Sequence, residues 1–148
     1  MVGLTTADRK TRDHVDQDQP IVQVVLGFQH GYALTKLGQV YSWGKAGRGQ
    51  LGRELEADQD ATARLIPMDA LVTQVASGLH HGALLTASNQ VYIWGENMAR
   101  NDSSEAEGEK PKDARIPEPV VGLPLDQKVL QVSCGSHHTA ILLEDGSI

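Results

Sequence analysis

Apolar and polar residues alternate with a period of two over short runs bounded by glycine. In Gly38-Gln39-Val40-Tyr41-Ser42-Trp43, Val40 and Ser42 project to one face of an extended chain while Tyr41 and Trp43 project to the other. Gln90-Val91-Tyr92-Ile93-Trp94 repeats the arrangement. Such runs predict strands, and helical periodicity is absent from them. A first strand begins near Val22, Thr73 or Leu130, and a second lies near Tyr32–Thr35, Ala83–Thr86 or Ala140–Leu143. A third ends in Trp43-Gly44 or Trp94-Gly95. Gly38, Asn89 and Gly146 stand at the turn before the third strand, where a residue tolerant of positive φ is needed.

These elements belong to one repeated unit. Val24-Val25-Leu26-Gly27-Phe28-Gln29-His30 returns as Val75-Ala76-Ser77-Gly78-Leu79-His80-His81 and again as Val132-Ser133-Cys134-Gly135-Ser136-His137-His138. The steps from Gly27 to Gly78 and from Gly78 to Gly135 are 51 and 57 residues. A period near 50 points to a propeller or a solenoid. The expected architecture is all-β, a partial β-propeller of about two and a half blades built from antiparallel four-stranded sheets. The expected organisation is a flexible tail at 1–20, a first repeat at 21–71, a second at 72–128 and the start of a third, truncated repeat at 129–148. Propellers need roughly four to eight blades to remove their open edges. The sequence is therefore expected to be part of a longer polypeptide, or to complete its sheet with another chain.

After the Trp-Gly pairs the copies diverge. The first continues as Lys45-Ala46-Gly47-Arg48-Gly49-Gln50-Leu51-Gly52 and then a charged connector, whereas the second runs through Asn97–Pro119, rich in Ser, Glu, Lys and Pro. That composition cannot bury enough surface to offset the entropy of ordering, so about residues 98–115 are expected to be a mobile surface insertion. The succession of Gly-x-x-His, an apolar strand, a Gly turn, Val-Tyr-x-Trp-Gly and Gly-Gln-Leu-Gly resembles the repeat of the regulator of chromosome condensation (RCC1) family. The resemblance covers residues 21–148 apart from the two connectors. It implies a seven-bladed β-propeller. WD40 repeats fit poorly because no Trp-Asp closes a blade, and kelch repeats usually carry a Gly-Gly pair that this chain lacks. No Gly-Gln-Leu-Gly follows Gly95, so the outer strand and loop of the second copy are expected to be remodelled.

Charge and composition narrow the function. The net charge is −6, from 13 basic and 19 acidic residues, and the linear sequence shows no compact basic face. Nucleic acid is therefore not an expected partner. The longest apolar runs fall far short of the roughly 20 residues of a membrane span, so no membrane partner is expected either. In the tail, Arg9, Lys10 and Arg12 are mixed with Asp8, Asp13, Asp16 and Asp18, which resembles neither a secretory signal nor an acid-poor mitochondrial leader. An intracellular setting, cytoplasmic or nuclear, is expected. Residues 119–135 are similar to mitochondrial members of the family, which keeps that compartment open.

No catalytic, cofactor-binding or metal-binding residue is expected. His80-His81 and His137-His138 are adjacent on strands, so their side chains point to opposite faces and neither pair can chelate one ion locally. Gly44-Lys45-Ala46-Gly47-Arg48-Gly49 lacks the Gly-Lys-Ser/Thr ending and the following helix of a phosphate-binding loop. Cys134 has no activating neighbour in sequence. The recurring Gly27, His30, Trp43, Gly44, Gly78, His81, Trp94, Gly95, Gly135 and His138 are read as structural framework, with the histidines hydrogen-bonded and the tryptophans packed between blades. Recognition is expected where the copies disagree, with Arg48, Arg53, Glu54, Arg100, Asp102 and Glu105 as candidate contacts. The expected function is a non-catalytic scaffold for a protein partner. The resemblance also implies a second reading, guanine-nucleotide exchange on a Ran-type small GTPase.

Overall fold

The computed structural model describes residues 19–96, 98, 112–124 and 126–148. Ten strands follow one another: β1 Ile21–Leu26, β2 His30–Thr35, β3 Val40–Lys45, β4 Gln59–Leu65, β5 Val72–Ser77, β6 His81–Thr86, β7 Val91–Gly95, β8 Ala114–Pro119, β9 Val129–Cys134 and β10 Thr139–Leu143. They form two four-stranded antiparallel sheets in the order β1-β2-β3-β4 and β5-β6-β7-β8, and a two-stranded sheet of β9 and β10. No helix occurs among the described residues. The fold is a partial β-propeller of two blades and the first hairpin of a third.

The repeat fixes register as well as strand order. Ala33 opposes Val24 and Tyr41, and at the equivalent place Leu84 opposes Val75 and Tyr92. Both inner strands carry an irregularity at the same point, between Ile21 and Gln23 and between Val72 and Gln74. The hairpin turns hold Gly38 at φ 84°, Asn89 at φ 66° and Gly146 at φ 88°. Asn89 is the one non-glycine residue among the described residues with positive φ, and asparagine tolerates that region better than most side chains.

Two cores lie between sheets rather than within them. Tyr32, Leu34, Val40 and Ile66 of the first blade pack on Val72, Val75, Leu84, Trp94 and Ala114 of the second. Ala76, Leu85 and Val91 of the second blade pack on Val129, Val132 and Leu143 of the third. Each sheet thus buries its apolar residues against the next, as repeated units that cannot close a core alone must do.

Two segments depart from expectation. The charged connector 53–64 contains most of β4, and the end of the expected insertion contains the start of β8. Both are outer strands, paired on one side only, and each buries one small residue, Ala63 at 2% exposure and Ala114 at 3%. An edge strand of this kind needs little apolar alternation and tolerates Pro117 and Pro119, since its outward N–H groups have no ladder partner.

Candidate interaction surface

Antiparallel order places the β1–β2 loops and the β3–β4 loop at one end of the sheets, and the β2–β3 turns with the blade-to-blade connections at the other. The first end carries the sequence differences, and a repeated set of side chains holds it in place. In each copy the glycine N–H donates to the histidine carbonyl, Gly27 to His30 at 2.8 Å, Gly78 to His81 at 2.9 Å and Gly135 to His138 at 2.9 Å. The turn folds the imidazole over the glycine, and a Cβ at Gly27 or Gly78 would fall within the ring. This is why the spacing is Gly-x-x-His.

The histidines then reach across to the next blade. His30 Nε2 lies 3.0 Å from Ser77 Oγ, and His81 Nε2 lies 3.1 Å from Thr139 Oγ1. The hydroxyl comes from different positions because Cys134 stands where Ser77 would recur and Thr139 stands in the place of Gly31 and Gly82. Burial pushes the His30 imidazole down to about 4, with the nearby His80 and His81 adding to the fall and a hydrogen bond to the His81 backbone opposing it. Burial also lowers His81, opposed by the His138 backbone and Glu96. His138 is exposed.

Glutamines and backbone rungs complete the seam. Gln23 Oε1 accepts from the Val75 N–H at 3.4 Å, and Gln74 Oε1 accepts from the Val132 N–H at 3.2 Å while its Nε2 donates to the Leu130 carbonyl at 2.7 Å. Phe28 N–H donates to the Leu79 carbonyl at 3.2 Å, and Leu79 N–H to the Ser136 carbonyl at 3.1 Å. These glutamines fall outside the expected framework residues, although Gln23, Gln74 and Gln131 recur at one position and carry a legible signal.

Trp94 is completely buried and closes the outer part of the first seam. Its Nε1–H donates to the Gln50 carbonyl and to Tyr32 Oη, each at 3.0 Å, and Tyr32 Oη–H donates to the same Gln50 carbonyl. The Tyr32 and Trp94 rings meet edge to face at 5.2 Å between centroids. The Gly49-Gln50-Leu51-Gly52 turn therefore serves as an acceptor for the next blade. It is anchored by Ser42 Oγ–H on the Leu51 carbonyl at 2.7 Å, with Arg48 N–H donating to Gln50 Oε1 at 2.7 Å. Trp43, at the same position of the first blade, is only half-buried.

The candidate contacts separate into different environments. Arg48 is exposed at 56% of its side chain and pairs with Glu96 of the second blade at 3.2 Å. Glu54 is exposed. Arg53 is 8% exposed and points inward, where it donates to Ser42 Oγ and the Ser42 carbonyl at 3.1 Å and pairs with Asp60 at 3.2 Å. That commitment takes Arg53 out of the loop surface. Arg100, Asp102 and Glu105 lie outside the described residues. Phe28, 65% exposed, and Leu26, 69% exposed, border an open groove of about 440 Å³ that Leu79, Ser77, Cys134 and Ser136 also line. The His80 ring supports Phe28 edge-on at 5.8 Å. Burial raises the Cys134 thiol to about 11, so it stays protonated at neutral pH. Among the described residues no group of three His, Cys, Asp or Glu could hold a metal ion.

Models of the Regulator of chromosome condensation (RCC1) repeat match residues 21–50 and 38–85. The chain belongs to the RCC1-like repeat family. The rat "Probable E3 ubiquitin-protein ligase HERC4" is 33% identical over 88% of this chain and 12% of its own length. The human "Regulator of chromosome condensation" is 30% identical over 99% of this chain and 34% of its own. This RCC1-like chain therefore spans about a third or less of those relatives. Among solved structures, human WBSCR16 superposes with a TM-score of 0.73 at 21% identity, over 87% of this chain and 33% of that one. Prp20p of Saccharomyces cerevisiae, solved in a study of its binding to Gsp1p and histones, gives 0.70 at 22% identity over 85% and 32%. At these identities the structures establish the RCC1-like propeller fold alone.

Proposed function

We propose that this segment is a non-catalytic protein-interaction scaffold of the RCC1-like propeller type. The observation that carries the reading is the division of labour between positions: recurring residues such as His30, His81, Gln23 and Gln74 interlock the blades, and loops that differ in sequence gather at one end. A rigid framework presenting irregular loops lowers the ordering cost of binding a protein surface. Phe28 supplies exposed apolar area there, and burying such a side chain contributes about 1.5–3 kcal/mol. Arg48 and Glu54 are exposed in the β3–β4 loop at the same end of the sheets. The proposed partner is a protein, in an intracellular setting, cytoplasmic or nuclear.

A second reading is guanine-nucleotide exchange on a Ran-type small GTPase, favoured by 30% identity to a relative named Regulator of chromosome condensation. Exchange of this kind is differential binding, with a propeller face favouring the nucleotide-poor GTPase. The deciding measurement is release of labelled GDP from a panel of small GTPases in the presence of the protein. No change in release rate on any member is expected, and acceleration by several orders of magnitude would overturn the scaffold reading.

A further inference from the structure

We propose that the blade seams are proton-sensitive, the buried histidines that bridge them releasing blade from blade on acidification. The geometry begins with the Ser77 hydroxyl, which lies 3.0 Å from His30 Nε2 and 3.3 Å from the Gly78 carbonyl. The protonated ring carries a hydrogen on both nitrogens, Nδ1 included. That atom is buried without a hydrogen-bond partner, under the backbone of Gly27. A proton there would place a charge inside the seam, opposed by burial and favoured only by the His81 backbone.

The groups facing His30 from the surrounding elements are Tyr32, Ser77, His80 and His81, and none is a carboxylate. His81 faces His137, His138, Thr139 and also Glu96, whose carboxylate is shared with Arg48. The first seam is therefore the more sensitive of the two. The sign follows from linkage. A histidine whose imidazole is depressed in the closed seam favours closure fully above the unfolded value of 6.5, and that contribution falls away as pH drops toward 4. Below that pH both states are protonated and the effect is flat.

Trp94 reports on the first seam, and Trp43→Phe leaves it the sole tryptophan. Urea titrations followed by Trp94 fluorescence at pH 7 and pH 4 are expected to show the equilibrium for exposing Trp94 rising on the order of 100-fold. His30→Gln, which cannot be protonated, is expected to remove most of that rise, and His81→Gln a smaller part. Parallel pH dependence with and without His30→Gln would overturn the proposal. Should His30→Gln fail to fold, imidazole NMR of the Trp43→Phe chain decides. A His30 ring that stays neutral to near pH 4 while Trp94 is buried supports the proposal, and one that titrates near 6.5 with Trp94 still buried overturns it.

Discussion

Trp94 occupies the same place in the repeat as Trp43 and meets a preceding blade, whereas Trp43 lies in the first of the described blades. Trp94 is at 0% exposure, sandwiched between its own sheet and the Tyr32 ring, with its N–H bonded to the preceding blade. Truncating a fully buried tryptophan to alanine costs about 3–5 kcal/mol through lost transfer energy and the cavity left behind. The lost N–H bond adds little, because the Gln50 carbonyl keeps the Tyr32 hydroxyl as donor. Trp43 packs over Gly31 of its own sheet and is less completely buried, so Trp43→Ala should cost somewhat less, about 2–4 kcal/mol, on area grounds. Urea unfolding of both variants by far-UV circular dichroism measures the difference. A Trp43→Ala cost equal to or above that of Trp94→Ala would refute the assignment of the energy to the seam.

Other substitutions probe the remaining contacts. Gly78→Ala drives a methyl into the His81 ring and should destabilise by about 2–4 kcal/mol, whereas Gly47→Ala, with open space around it, should fall within about 0.5 kcal/mol of the parent in the same unfolding assay. Gln74→Ala removes two bonds across the second seam and should cost about 1–2 kcal/mol, read as faster hydrogen exchange at the Val132 amide. Arg53→Met should lower stability by about 2–4 kcal/mol, because it leaves Asp60 with a single arginine, whereas Arg48→Ala at the exposed pair should cost less than about 1 kcal/mol. Thermal melts of the two arginine variants side by side check that contrast.

Period-two alternation and the 51- and 57-residue steps were enough to specify an all-β repeat, the inner three strands of each blade and the glycine or asparagine turns. These features are legible because local backbone demands act on neighbouring residues: a strand alternates, a turn needs positive φ, and Gly-x-x-His closes within four positions. The outer strands β4 and β8 were not legible, since an edge strand buries one alanine and leaves no pattern among charged residues. The environment of Arg53 was hidden for a related reason. A charge in a connector reads as solvated until Ser42 and Asp60, 11 and 7 residues away, are seen to enclose it. Tertiary structure alone also decided that Trp94 bonds the preceding blade and that His30 and His81 spend their hydrogen bonds on the next one. Those outcomes depend on stacking one repeat against another, a distance of about one full period along the chain. Sequence by itself determined the unit; only the packing of units determined how its recurring letters reach across to hold one blade to the next.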